Sequence, residues 1–133
     1  MTQESKMGEY MNRSRHKKEQ EGAPVFKVRE ADVLRAVSQW LALKRIPHWR
    51  QNSGALKNAH GQLVRFGKKD SADFTGIDPK TGRRLEIECK APGEKLRESQ
   101  RQFLDMINRC CGVGVCVHSV EELEERLKEA GII

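Results

Sequence analysis

The sequence predicts an α/β domain in which a mixed β-sheet is flanked by helices, in the order αβββαβα. Three observations carry this. Apolar residues recur at spacings of three and four over residues 27–44 and 96–109, the period of a helix with one buried stripe. Residues 84–91 alternate between apolar and polar, the period of a strand. Two strands joined by a tight turn, then a strand–helix–strand crossover, require antiparallel and parallel neighbours in one sheet.

The elements follow in chain order. Residues 1–24 are polar and without periodicity, with mixed charge over 13–21, and read as a flexible N-terminal arm. Residues 25–133 form the folded domain. Val33, Leu34, Val37 and Leu41 mark the buried stripe of the first helix, which Pro47 stops. The stretch from Gln51 to Gly61 is polar and reads as a long loop, a place where function concentrates. Strands are expected at 63–66, 72–77 and 84–91, the last two joined by Asp78-Pro79-Lys80-Thr81-Gly82, whose Pro and Gly suit a turn. In the third strand Leu85, Ile87 and Cys89 face one way, and Glu86, Glu88 and Lys90 the other. The second helix has Leu96, Gln100, Phe103, Leu104 and Ile107 on its inner stripe. The strand at 113–117 is apolar throughout, which suggests a central position. Ser119 and Glu122 form a capping box for a last helix that Gly131 ends. Trp40 and Trp49 are expected in the core.

The 133-residue chain carries a net charge of +6. Residues 27–69 hold ten Lys and Arg against Glu30 and Asp32, whereas the tail from Glu121 holds five Glu against Arg126 and Lys128. A basic segment of this kind suits a polyanion such as nucleic acid, or is simply a solvated surface. Cys89, Cys110, Cys111 and Cys116 lack the spacing of a structural zinc site. Without a signal peptide or an apolar run long enough to span a bilayer, an intracellular, cytoplasmic protein with reduced thiols is expected, and no membrane partner.

The chemistry lies in the strand pair. Phosphodiester hydrolysis needs an activated water and charge neutralisation at the phosphate, and a carboxylate-held Mg²⁺ supplies both. The turn brings Asp73 towards Glu88, and Lys90 shares the face of Glu88 two residues on. An ammonium there can orient the water or stabilise the transition state. An Asp followed by a hydrophobic strand ending in Glu-x-Lys is the pattern of the PD-(D/E)xK nucleases. Each residue alone also has a plainer reading, as a strand-edge acid or a solvated strand face.

Over residues 30–117 the sequence resembles the virus-type replication-repair nuclease (VRR-NUC) domain. The resemblance rests on the helix starting at Glu30, the Gln51-Asn52-Ser53-Gly54 loop, Gly67, Asp73 and Gly76. It continues through Glu86-Ile87-Glu88-Cys89-Lys90 and Gln100-Arg101-Gln102-Phe103. Ala72 stands where the superfamily motif has Pro. The resemblance implies a restriction-endonuclease-like fold and Mg²⁺- or Mn²⁺-dependent cleavage of branched DNA. It implies that Glu30, Asp73, Glu88 and the carbonyl of Cys89 hold the metal, that Lys90 serves the nucleophile, and that Gln100 reaches the site from its helix. Standalone viral members resemble Holliday junction resolvases and form dimers, so a viral or bacterial origin fits.

The expected activity is therefore that of a structure-selective endonuclease acting on four-way or other branched DNA as a homodimer. Apolar dimer contacts are expected on the first helix, including Trp40, and on the last, at Leu123, Leu127 and Ile132. Asn52, Ser53, Gly54, Lys57, Arg65, Lys68 and Lys69 are the candidate DNA contacts. Glu30 also reads as a first-turn acid complementing the helix dipole. Glu86 is a supporting acid at most. His48, His60 and His118 read as structural or surface groups. A flap, nicking or general nuclease, or a non-catalytic DNA-binding module, would use the same residues differently.

Overall fold

The computed structural model describes residues 26–133; the expected N-terminal arm lies outside them. Helix α1 (Glu30–Leu43) leads into β1 (His48–Arg50), β2 (Gly54–Lys57), β3 (Leu63–Phe66), β4 (Phe74–Ile77) and β5 (Arg84–Cys89). Helix α2 (Glu98–Arg109), strand β6 (Val113–Val117) and helix α3 (Val120–Glu129) complete the domain. The main sheet has the order β1-β4-β5-β6, antiparallel except for the parallel pair β5–β6. The mixed sheet flanked by helices expected from the sequence is the observed architecture.

The sheet separates two cores. On one side Val33, Val37 and Leu41 of α1 and Leu123 and Leu127 of α3 pack on Leu85, Ile87, Cys89, Val113 and Val117. On the other, Phe103, Leu104 and Ile107 of α2 pack with Ala72. Strand β5 is thus buried on both faces, so Glu86 and Glu88 lie under α2 and not in solvent. Each cap uses local chemistry. The Arg29 N–H donates to Asp32 at 2.9 Å, the Glu122 N–H to Ser119 Oγ at 3.1 Å, and the Glu122 carboxylate accepts from the His118 N–H at 2.9 Å.

Four expectations are corrected. The stretch from Gln51 to Gly61 is not one long loop: it contains β2, which draws the expected strand at 63–66 out of the main sheet into a two-stranded arm, and with β1 just before it the order is αβββββαβα rather than αβββαβα. Strand β6 is at the edge, not the centre. Its apolar residues report burial between α2 and α3, not the number of strand neighbours. The Asn108 side chain bonds both the N–H and the carbonyl of Gly114 (2.8 and 3.0 Å), which occupies part of that free edge. Leu123, Leu127 and Ile132 are core residues and offer no dimer surface, and Trp40 is partly buried against the same core. Trp49 is 47% exposed on β1, outside the core.

Gly114 sets how closely α2 approaches the sheet. A Cβ there would lie 2.7 Å from the Leu104 carbonyl oxygen, so any side chain forces the helix outward. Gly114→Ala is expected to cost about 1–3 kcal/mol, as overpacking of a tight core does, measured as a lowered midpoint in thermal or urea unfolding. An unchanged midpoint would show that α2 yields without strain.

Candidate active site

The turn after β4 fixes the relation between the two site strands. Asp78 is buried; its carboxylate accepts from the Lys80 N–H and the Thr81 hydroxyl, and its backbone closes on Arg83 and Gly82. The Thr81 hydroxyl, ahead of other groups, holds the Asp78 carboxyl below the usual carboxylate range. The resulting register pairs Phe74 with Ile87 and Thr75 with Glu86. One residue further on, Asp73 faces Glu88. Asp73 lies in a bend just before β4, and one of its carboxylate oxygens accepts from the Cys89 N–H at 2.8 Å. The Gln51 N–H donates to the Asp73 carbonyl at 2.9 Å, which ties the residue to the β1 side as well.

Glu30 enters from the first turn of α1. Glu30, Asp73 and Glu88 each offer a carboxylate oxygen, all within 4.8 Å of one another, the only such group of three potential ligands among the described residues. Lys90 Nζ stands 3.9 Å from Glu88 Oε1, with the side chain largely buried. Gln100 is buried on α2; its amide nitrogen donates to Glu88 Oε1 at 3.1 Å and its carbonyl accepts from the Arg97 N–H at 3.0 Å. The buried Gln thus has partners at both ends, one of them in the site.

Three carboxylates so close resist full ionisation. Burial, then the charge of Asp73, push the Glu88 carboxyl up from 4.5 to about 8, with Lys90 opposing and Glu30 adding to the rise. An oxygen-rich, negatively charged cluster of this kind matches a hard divalent cation, which would relieve the repulsion. The residues present therefore fit Mg²⁺ or Mn²⁺. Cys89, between Glu88 and Lys90 in sequence, turns its side chain into the opposite core, and burial pushes its thiol pKa up. Glu86 is fully buried but turned to other partners, accepting from Thr75 Oγ1 at 3.0 Å and Arg84 Nε at 2.7 Å, outside the three-carboxylate group.

Arg50 carries no signal in the sequence beyond its charge. It lies on β1 with a guanidinium nitrogen 3.4 Å from Asp73 Oδ1, its cation over the Phe74 ring. The expected DNA-binding residues Asn52, Ser53, Gly54, Lys57, Arg65, Lys68 and Lys69 are all exposed. They lie along the β2–β3 arm and its base rather than in the carboxylate cluster, with Lys68 Nζ above the Phe103 ring. Gly67 is required at the base: its φ is +67°, and a Cβ would fall 2.4 Å from the Asn52 carbonyl oxygen. His48 bonds Ser38 and the Ile46 carbonyl, and His118 bonds Glu122 and the Glu94 carbonyl, both away from the cluster.

Because folding raises the Glu88 pKa, the metal-free protein has the full benefit of a protonated Glu88 below about pH 4.5. It loses that benefit as pH rises towards 8. Glu88→Gln is therefore expected to raise the metal-free melting temperature at pH 8 by roughly 5 °C or more while leaving it little changed at pH 4.5. Equal melting temperatures at pH 8 would show that the carboxylates do not strain the fold. Binding of Mn²⁺ to the wild type near pH 7 should release close to one proton, read by calorimetry in buffers of different ionisation enthalpy.

The model of the VRR-NUC domain matches residues 2–121, most of the chain. A comparison with curated proteins gives no match. The family match, together with a restriction-endonuclease-like sheet that brings an acidic triad, a lysine and a glutamine to one place, establishes that the chain belongs to the VRR-NUC domain family of nucleases.

Proposed function

We propose that the protein is a metal-dependent, structure-selective DNA endonuclease acting on branched DNA in the manner of a Holliday junction resolvase. The observation that carries the metal-dependent chemistry is the meeting of Glu30, Asp73 and Glu88 within 4.8 Å, with Lys90 beside them. Glu30, Asp73, Glu88 and the carbonyl of Cys89 would hold Mg²⁺ or Mn²⁺. The ion, when bound, lowers the pKa of water and neutralises charge on the scissile phosphate. Lys90 orients the attacking water and offsets negative charge as it develops. Gln100 holds Glu88 in place through its 3.1 Å bond, and Arg50 holds Asp73 from the other side.

The cations of the arm account for grip on the substrate. Lys57, Arg65, Lys68 and Lys69 engage phosphates, while Asn52, Ser53 and Gly54 let the backbone approach closely. Four-way junctions call for two equivalent incisions, and a twofold homodimer supplies two equivalent sites. Its interface excludes the buried apolar side chains of α3. Light scattering should report twice the 15.2 kDa chain mass.

The test is cleavage of labelled four-way junctions, flaps, nicked and continuous duplexes, with Mg²⁺, Mn²⁺ or a chelator. Asp73→Asn, Glu88→Gln and Lys90→Ala should each lower the rate by a factor on the order of 10² or more, since each removes charge that acts in the transition state. A folded Glu88→Gln protein that cuts at the wild-type rate would remove the site from consideration. A monomer that cuts flaps and ignores four-way junctions would identify a flap nuclease instead.

Binding gives an independent measurement. Neutralising Lys57, Arg65, Lys68 and Lys69 together should flatten the log–log dependence of affinity on salt, by about one unit for each phosphate no longer neutralised. An unchanged slope would place the arm away from the DNA backbone.

A further inference from the structure

The β2–β3 arm has two unlike faces. Its register pairs Gly54 with Phe66 and Leu56 with Val64, so one face carries Leu56, Val64 and Phe66 and no polar side chain. The other pairs Ala55 with Arg65 and Lys57 with Leu63, and so carries the cations beside one exposed leucine. Phe66 reaches across the ribbon to Gly54, where a Cβ would stand 3.0 Å from the tip of its ring. Leu56 is nonetheless 67% exposed, and Phe66 43%. Apolar side chains gathered on one face of an otherwise cationic ribbon make a surface suited to contact with a partner.

Charge decides which partner. From His48 to Lys69 the chain holds Arg50, Lys57, Arg65, Lys68 and Lys69 and no Asp or Glu. Two such ribbons joined by their apolar faces would keep Lys57 and Arg65 of each on the outer faces, yet would gather two sets of these cations into one small assembly, which disfavours a second copy of the chain. A polyanion meets the same charges favourably. The arm is also continuous with the active site. The Gln51 N–H bonds the Asp73 carbonyl, the Arg50 guanidinium sits at the Asp73 carboxylate, and the Ser71 N–H bonds the Lys68 carbonyl at the other end.

Continuous duplex DNA shows phosphates and groove edges but no base faces. DNA opened at a branch or a splayed end shows unstacked base faces flanked by phosphates. Apolar and aromatic side chains cover such faces, and lysine and arginine hold the flanking phosphates. We propose that the β2–β3 arm is the element by which the protein selects opened over continuous DNA. The ribbon enters the opening so that Leu56, Val64 and Phe66 cover an unstacked base on one side, and Lys57 and Arg65, on its other face, hold the backbone of the strand splayed to that side. This rests on the proposed DNA substrate and assigns its structural preference to named residues.

The test uses full-length protein carrying Glu88→Gln, so that nothing is cut, and a splayed duplex with 2-aminopurine at the opening. Binding should change the 2-aminopurine emission. Combined Leu56→Ser, Val64→Ser and Phe66→Ser should abolish that change. It should also lower the ratio of affinities for splayed over continuous duplex by about tenfold, the scale set by stacking of a single base. Leu56→Ser alone, at the most exposed of the three positions, should give a smaller loss in the same direction and guards against misfolding of the triple variant. An unchanged ratio and emission in both variants overturns the proposal. Loss of dimer mass with the emission change intact assigns the arm to a second copy and overturns it equally. Failure of the nuclease reading shows elsewhere, as DNA cleavage that Glu88→Gln does not reduce, and leaves the emission measurement standing.

Discussion

Asp73 and Glu88 are carboxylates forced together by a strand pair whose register leaves them no other place. With Glu30 they gather three carboxylates in a half-buried site, and burial, then the charge of Asp73, displaces the Glu88 carboxyl to about 8. Left to itself the cluster would pull β4, β5 and α1 apart. The surrounding structure resists this with apolar packing on one side of β5, where Val37, Leu41, Leu85, Leu123 and Leu127 are fully buried. On the other side α2 closes over the acids and presents Gln100. The buried repulsion is what a cation site costs before the cation arrives.

The polar groups around the cluster work as a set. The Cys89 N–H fixes one oxygen of Asp73, and Arg50 stands beside the other. Gln100 and Lys90 both address Oε1 of Glu88. Gln100 is also part of the start of α2, because its carbonyl accepts from the Arg97 N–H. Helix placement and carboxylate orientation are therefore coupled through one side chain. Gly114 allows α2 to lie close enough for that bond, since the Leu104 carbonyl occupies the space a Cβ would need.

How much of this is legible in the sequence depends on how local the cause is. Asp73, Glu88 and Lys90 can be placed together because a period of two and a Pro–Gly turn are local facts. Glu30 is marked as a ligand only by the family resemblance; its approach is set by packing of α1 on the sheet, which no spacing encodes. Arg50 has no signal, since β1 is three residues long and too short to show alternation. Strand β3 is legible at 63–66, but its partner β2 is hidden for a related reason: all residues of both strands are exposed, so no buried face marks β2 or shows that the two form an arm apart from the main sheet. Leu123 and Leu127 show the opposite limit. Their spacing shows that one face of α3 is apolar but not what covers that face, and the cover is the domain's own core.

The charges of arm and site oppose each other over a short stretch of chain. Five cations lie between His48 and Lys69 with no acid, and Asp73 follows four residues later, paired with one of them, Arg50. In the proposed nuclease, a phosphate drawn in by the arm would be repelled on reaching Glu30, Asp73 and Glu88 unless their charge were neutralised. Protonation of Glu88 removes one negative charge, while a divalent cation offsets two. In the proposed nuclease, then, the arm can hold DNA without the ion, but the scissile phosphate enters the carboxylate cluster only with it. On that proposal recognition and chemistry would be separated by charge sign, and the short segment from Arg50 to Asp73 is where the two would meet.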